Sequence, residues 1–194
     1  MSDWFEIVDT SKWDERFMEV ARTVAQWSKD PSTMCGAIIT QGKRVVSQGF
    51  NGFAAYTSDD PKLYARRAYK DEMVIHSEEN AILQARTDLT GHTIYITAMC
   101  CGHCAAVIIQ TGISRVVVPC KAEDPFSYRG DGSSWAASLD RAKTHLSSAS
   151  VILTMLEPTG YDPKLLMGPE HPHIKYVPPE VLPFGLGYPG YLRK

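Results

Sequence analysis

No uninterrupted apolar stretch in this chain approaches 18 residues, so no membrane-spanning helix is expected. The opening decapeptide MSDWFEIVDT is acidic and has no apolar run, unlike a secretory signal. There is no basic surplus: 20 Lys and Arg face 22 Asp and Glu, a net charge of -2. No positive track for a long nucleic acid stands out, although a single nucleotide needs only a few local cations. There is no internal repeat. Cysteine is scarce and badly spread for a disulfide framework: five in all, an odd number, with Cys100, Cys101 and Cys104 crowded together and Cys35 and Cys120 apart. These absences favour an intracellular, cytoplasmic protein and exclude a disulfide-stapled scaffold.

What is present suits an ordinary globular protein. The 194 residues are 44% hydrophobic and 22% charged, enough for one core and an appended segment. Phe17, Val20, Ala21, Val24 and Trp27 recur at helical spacing and predict a helix over 11–28. A polar break around Pro31 precedes a predicted hairpin, 35–40 and 44–50, turning at Gly42. A loop over 51–60, helical structure over 62–75 and a helix from His76 follow. Arg66, Arg67 and Lys70, upstream of that helix, read as surface charges. A strand at 93–97, a helix at 102–110, an all-apolar strand at 116–119, a loop over 120–133, a helix with Trp135, Leu139, Ala142 and Leu146 in one stripe, and a strand at 151–155 complete the series. Strands alternating with helices predict an α/β fold, a three-layer α/β/α sandwich on a central mixed five-stranded sheet. The expected division is a domain over 1–156 and an extension over 157–194. That extension holds eight of the twelve prolines and four of the nine tyrosines, and is expected to pack on its own domain or a neighbouring subunit.

Two short segments carry the chemistry, His76-Ser77-Glu78 and Cys101-Gly102-His103-Cys104. Imidazole and two thiolates suit zinc, and a set of three protein ligands leaves one position for water, as catalytic zinc requires. Residues three apart on a helical turn share a face, so Cys101 and Cys104 can reach one ion. Cys100 is then spare, a packed thiol behind the ligands. Glu78 stands two residues from His76 and is free to move protons; Glu79 is the alternative carboxylate, pointing about 100° further round the helix. His103 is assigned packing or a polar contact, and the remaining histidines read as surface or internally satisfied. Cys35 and Cys120 read as small buried hydrophobes. His-x-Glu with Cys-x-x-Cys is the ligand pattern of hydrolytic nucleobase deamination, in which zinc-activated water attacks the carbon bearing the amine.

At these residues the chain resembles the zinc-dependent cytidine deaminase superfamily and, within it, the deoxycytidylate (dCMP) deaminase family. The stretches that carry the likeness are Cys35-Gly-Ala-Ile-Ile with Gly49-Phe50-Asn51-Gly52, Ser58-Asp59-Asp60, His76-Ser77-Glu78-Glu79-Asn80-Ala81-Ile82, and Cys101-Gly102-His103-Cys104-Ala105 followed by Ile108-Ile109-Gln110-Thr111-Gly112-Ile113. The resemblance implies a cytidine deaminase-like sheet and one catalytic zinc ion per subunit on His76, Cys101 and Cys104. It implies Glu78 as proton shuttle and dCMP as the substrate, converted to dUMP and ammonia. It places Asn51 at the substrate's sugar and Ala54 on the same pocket loop. Tyr128 and Arg129, in the loop after Pro119, become candidates for the base and the phosphate. A homo-oligomer, hexamer or dimer, with dCTP and dTTP as magnesium-linked effectors, is also implied. Two departures bear on the pocket: Cys100 stands where the family has proline, and Ser77 where it has alanine. They bear on which base is accepted, and a modified deoxycytidylate, dCTP, free (deoxy)cytidine or a polynucleotide base are the alternative substrates. A non-catalytic zinc-stabilised nucleotide-binding protein is the remote alternative; it leaves Glu78 unexplained.

Overall fold

A computed structural model of the chain describes residues 12–120 and 134–157. The expected extension over 157–194 therefore lies, apart from its first residue, outside the described residues.

The first helix, α1 (Lys12–Ala25), carries Asp14 and Glu15 in its first turn and Arg22 in its last, matching the helix dipole at both ends. It buries Phe17, Met18, Ala21, Val24 and Ala25. It is shorter than the predicted 11–28. Val20 is 41% and Trp27 51% exposed, so neither belongs to the buried stripe; Met18 and Ala25 take those places. Trp27 lies beyond the helix end and meets Phe50 edge-on at 6.2 Å.

The chain then forms the hairpin of β1 (Gly36–Gln41) and β2 (Arg44–Phe50), with Gly42 in the left-handed region at the turn. Two short helices follow, α2 (Pro61–Ala65) and α3 (Arg67–Met73), parted at Arg66. Asp60 caps α2 by accepting from the Lys62 N–H, and Pro61 fills a first-turn position that needs no donor. Then come α4 (Ser77–Ala85), β3 (Thr93–Ile96), α5 (Gly102–Gln110), β4 (Arg115–Pro119), α6 (Ser134–Ser148) and β5 (Ile152–Leu156).

The five strands form one sheet in the order β2-β1-β3-β4-β5. β1 is antiparallel to β2 and to β3, whereas β3, β4 and β5 run parallel. The parallel pairs need crossovers, and α5 and α6 supply them. Alternation along the strands divides two cores. Ala37, Ile39, Ile94, Ile96, Val116 and Val118 face α4, α5 and α6. Ile38, Tyr95 and Val117 face Phe17, Met18, Ala21 and Val24 of α1. Leu139, Ala142 and Leu146 of the predicted α6 stripe pack in the first core. The result is the expected three-layer α/β/α sandwich with a mixed five-stranded sheet.

Polar groups under α1 are fully engaged. Arg115 donates through both terminal nitrogens to the Asp14 carboxylate, 2.9 Å each, and the Tyr95 hydroxyl donates to Asp14 at 2.7 Å. Such a paired buried charge keeps the helix in register on the sheet, because losing one partner would leave the other unpaired.

Two glycines let helices touch the sheet. Register pairs Gly49 with Ala37, so both face α4. A Cβ on Gly49 would lie 2.3 Å from the Ala81 nitrogen and 2.5 Å from the Ser77 oxygen. The Ser47 hydroxyl donates to the Ala81 carbonyl at 2.6 Å, and the Asn80 amide to the Phe50 carbonyl at 2.7 Å. Gly36, which pairs with Phe50, approaches α1 as closely on the opposite face.

Candidate metal centre and substrate loop

The strand β3 ends beside the start of β1, where the Thr97 N–H donates to the Gly36 carbonyl at 3.0 Å. Just beyond this edge α4 and α5 begin, and crevices outside strand ends are where α/β sheets place their sites. His76 is the N-cap of α4 and Cys101 the N-cap of α5. Both stand in extended conformation before the first turn, which turns their side chains back over the helix ends.

His76, Cys101 and Cys104 offer ligand atoms that all lie within 4.8 Å of one another. The His76 Nδ1 is 3.3 Å from the Cys104 Sγ and 3.6 Å from the Cys101 Sγ. A tetrahedral zinc shell with Zn–S of about 2.3 Å and Zn–N of about 2.0 Å separates neighbouring N and S ligands by about 3.6 Å. The donor set and its spacing therefore fit zinc. Cys100 is buried in the same core and is not part of this ligand group. Burial keeps its thiol well above the ordinary range. Among the described residues it is Cys101, not Cys100, whose sulfur groups with His76 and Cys104.

The electrostatics of the cluster are those of a site made for a cation. A hydrogen bond from the Cys104 thiol holds Cys101 as a thiolate, its pKa lowered to about 3. The same bond pushes Cys104 up. His76, hydrogen-bonded to Cys101, is raised to about 9. Zinc uptake displaces the protons on His76 and Cys104, so it weakens as pH falls.

Glu78 follows on the first turn of α4 and is only 5% exposed. The Ser77 hydroxyl donates to its Oε2 at 2.9 Å. Burial raises the Glu78 pKa, opposed by the neighbouring His76. Glu79 has another task. Its Oε2 accepts from the His76 N–H at 3.3 Å, and its Oε1 lies 2.9 Å from the His103 Nε2. It closes a capping box on α4 and reaches α5 through His103. His103 thus makes a polar contact across the two ligand-bearing helices.

The segment carrying Asn51 is joined to the residue before His76. The Gly52 N–H donates to the Ile75 carbonyl at 3.1 Å and the Ile75 N–H to the Gly52 carbonyl at 2.9 Å. Asn51 is buried. Its Nδ2 donates to the Thr33 carbonyl at 3.0 Å and to the Asp30 Oδ2 at 3.3 Å, while its Oδ1 accepts from the Cys35 N–H at 2.8 Å. Both amide hydrogens are used, and one lone pair of Oδ1 remains. Ala54 is exposed on the same loop. Tyr128 and Arg129 lie outside the described residues. Cys35 and Cys120, expected to be buried, are half-buried at strand ends. Lys70 is not a surface charge: its side chain is 11% exposed and its ammonium sits 2.7 Å from the Asp30 Oδ2. Asp30 and Lys70 are members of the site's surroundings that sequence reading missed, because 40 residues separate them.

Residues 11–120 match the family model described as the cytidine and deoxycytidylate deaminase zinc-binding region. A protein of Aliivibrio fischeri described as an uncharacterized deaminase in the luxG 3′ region is 44% identical over 146 residues, covering 75% of this chain and 95% of that protein. The deoxycytidylate deaminase of Homo sapiens is 39% identical over 116 residues, covering 56% of this chain and 65% of that protein. This chain thus matches somewhat under two thirds of the human enzyme's length. In fold, the chain resembles the dCMP deaminase of cyanophage S-TIM5, solved with dCMP and dUMP, at a TM-score of 0.55 and 19% identity, covering 76% of this chain and 98% of that one. Among the described residues no helix is long and apolar enough to cross a membrane. With a family model matched over more than half its length and a His-Cys-Cys cluster spaced for zinc, this chain belongs to the zinc-dependent cytidine and deoxycytidylate deaminase family.

Proposed function

We propose that this protein hydrolyses dCMP to dUMP and ammonia, with His76, Cys101 and Cys104 holding one zinc ion and Glu78 moving the protons. The observation that carries this reading is the buried carboxylate of Glu78 on the helical turn that His76 begins. A structural zinc site needs four protein ligands and no such neighbour. Zinc at this position supplies Lewis-acid activation of water near neutral pH.

The rest follows from the chain's own groups. The Ser77 hydroxyl holds Glu78 Oε2, leaving Oε1 to receive the proton of the attacking water. Burial raises the carboxyl's affinity for that proton, so Glu78 holds it long enough to deliver it to the ring nitrogen; it then takes the second proton from the added hydroxyl and delivers that one to the departing amine, which leaves as ammonia. Desolvation around Glu78 also strengthens its interaction with developing positive charge. Asn51, with only an acceptor left, accepts from the sugar hydroxyl. In a 5′-monophosphate of deoxycytidine the only free sugar hydroxyl is the 3′ group. Ala54 lines the same loop. Arg129 receives the phosphate and Tyr128 covers the base, an assignment supported by the sequence of the loop after Pro119.

The choice of dCMP is supported by the resemblance of residues 35–113 to the deoxycytidylate branch and by the name of the human relative. The same reading extends to a cytoplasmic homo-oligomer, hexamer or dimer, regulated by dCTP and dTTP with magnesium. Light scattering with and without each effector tests it.

The deciding experiment is Glu78→Gln, assayed by ammonia release on dCMP, CMP, dCTP and deoxycytidine. The variant is expected to keep its zinc and lose roughly 100- to 10,000-fold in kcat, the usual contribution of a positioned acid-base group. Wild-type turnover in the glutamine variant would refute the proton role. A wild-type preference for another compound of the panel would refute the substrate.

A further inference from the structure

Asp30 is 1% exposed, the most deeply buried acidic side chain among the described residues. It lies on no helix or strand and belongs to no metal cluster. Its Oδ1 accepts from the Ser32 N–H and hydroxyl, both at 2.9 Å, and from the Thr33 N–H at 3.4 Å. The Lys70 ammonium reaches Oδ1 at 2.8 Å and Oδ2 at 2.7 Å, and also the Ser32 hydroxyl at 2.5 Å. Among the described residues Oδ2 accepts one further hydrogen bond, from the Asn51 amide. A buried carboxylate is costly unless fully paired, and here every partner serves to aim it. Ser28 adds a bond from its hydroxyl to the Asn51 carbonyl, 2.8 Å.

An asparagine amide can present either its oxygen or its nitrogen toward a ligand, because the two ends are almost the same shape. The Cys35 N–H on Oδ1 and the Thr33 carbonyl on Nδ2 bias that choice, and Asp30 reinforces it from the other amide hydrogen while holding the Thr33 N–H in place. A carboxylate can only accept, so it draws Nδ2 toward itself and leaves Oδ1 as the sole group with spare capacity.

We propose that the Asp30–Lys70 pair is a positioning device that, with the backbone of Thr33 and Cys35, holds Asn51 as a hydrogen-bond acceptor and thereby sharpens selectivity for a free 3′-hydroxyl on the substrate's sugar. Lys70 holds the carboxylate in place from α3, and Asp30 adds to the hold on Asn51. The inference rests on the sugar contact assigned to Asn51 under the proposed function. Asp30 and Lys70 themselves touch no substrate.

The probe is the 3′-fluoro analogue of dCMP, in which fluorine matches the hydroxyl in size but cannot donate. The readout is the ratio of kcat/KM for dCMP to that for the analogue, with zinc content measured for each protein. The wild type is expected to favour dCMP by roughly 10-fold or more, the worth of one hydrogen bond whose loss leaves the acceptor unpaired. Asn51→Ala brings the ratio near unity. In Asp30→Asn the charge that gathers Lys70, Ser32 and Thr33 around the Asn51 amide is lost, the amide is held less firmly, and the ratio is expected to fall toward that of Asn51→Ala with zinc retained. Lys70→Gln moves the ratio the same way and decides the matter should Asp30→Asn not fold; Lys70→Arg restores it. A purely structural lesion lowers both substrates together and leaves the ratio untouched, which would overturn the proposal. An unchanged ratio in Asn51→Ala as well would trace the failure to the sugar contact instead.

Discussion

Gly49 gives a direct test of how tightly chemistry depends on packing beneath the catalytic helix. In Gly49→Ala the added methyl would stand 2.3 Å from the Ala81 nitrogen, 2.5 Å from the Ser77 oxygen and 2.8 Å from the Asn80 carbonyl carbon. Ordinary van der Waals contact begins near 3.4 Å, so α4 must lift from β2 by about 1 Å. All three contacts are backbone, and none can rotate away. Overpacking of this kind costs about 1–3 kcal/mol in stability. The displaced helix begins at His76, so the lift moves one zinc ligand and Glu78 away from Cys101 and Cys104. A misplacement of about 1 Å at a reacting centre lowers turnover by about 100-fold. The control is Gly36→Ala, whose methyl would stand 2.2 Å from the Ala21 oxygen and 2.5 Å from the Ala25 nitrogen. It lifts α1 from the opposite face and is expected to destabilise comparably while holding zinc. Thermal melts, zinc competition against a chromophoric chelator and zinc-saturated kcat/KM are measured on both. Wild-type zinc affinity and turnover in Gly49→Ala, or equal loss of zinc from Gly36→Ala, would refute the reasoning.

Two other outcomes follow from the same geometry. Cys101→Ser and Cys104→Ser should lose zinc, whereas Cys100→Ser should keep it; zinc per chain by atomic absorption checks this, and a zinc-free Cys100→Ser would reverse the ligand assignment. At alkaline pH the protein should lose stability, because burial raises the pKa of Tyr64 and Tyr95 above the ordinary tyrosine value of about 10. Below that value both states are protonated; above it the unfolded chain sheds its protons while the folded one keeps them, so stability falls by up to about 1.4 kcal/mol per pH unit for each tyrosine. Urea midpoints between pH 8 and 11 report the slope, and Tyr64→Phe should flatten it; an unchanged slope would sink the assignment.

The metal cluster was legible in the sequence because each half is local. His-x-Glu and Cys-x-x-Cys each occupy one helical turn, and only the meeting of the two turns needed the fold. The sheet was legible for a related reason, since alternation and turn residues are short-range signals. The end of α1 was not. The apolar period runs on to Trp27, but Pro31 biases Asp30 away from helical backbone, and Asp30 is held by Lys70 far along the chain. Nothing near Lys70 in sequence distinguishes it from Arg67, whose exposed side chain pairs with Asp71 on its own helix. Asn51 was singled out as a turn and sugar residue, yet its partners lie 16 to 21 residues away and became visible only with coordinates.

The position of the cluster also bears on how the molecule holds together. α4 packs mainly on β2 and β1, the antiparallel side of the sheet, and α5 packs mainly on α6 beside the parallel side. The ligands from the two helices are separated by 25 residues of chain, from His76 to Cys101. A zinc ion shared between them acts as a cross-link that closes this loop, whose entropic cost is on the order of 3 kcal/mol. Zinc held there is thereby also a rivet across the seam where the two strand directions meet, and losing it would leave that seam to the β1–β3 pairing and the shared core alone.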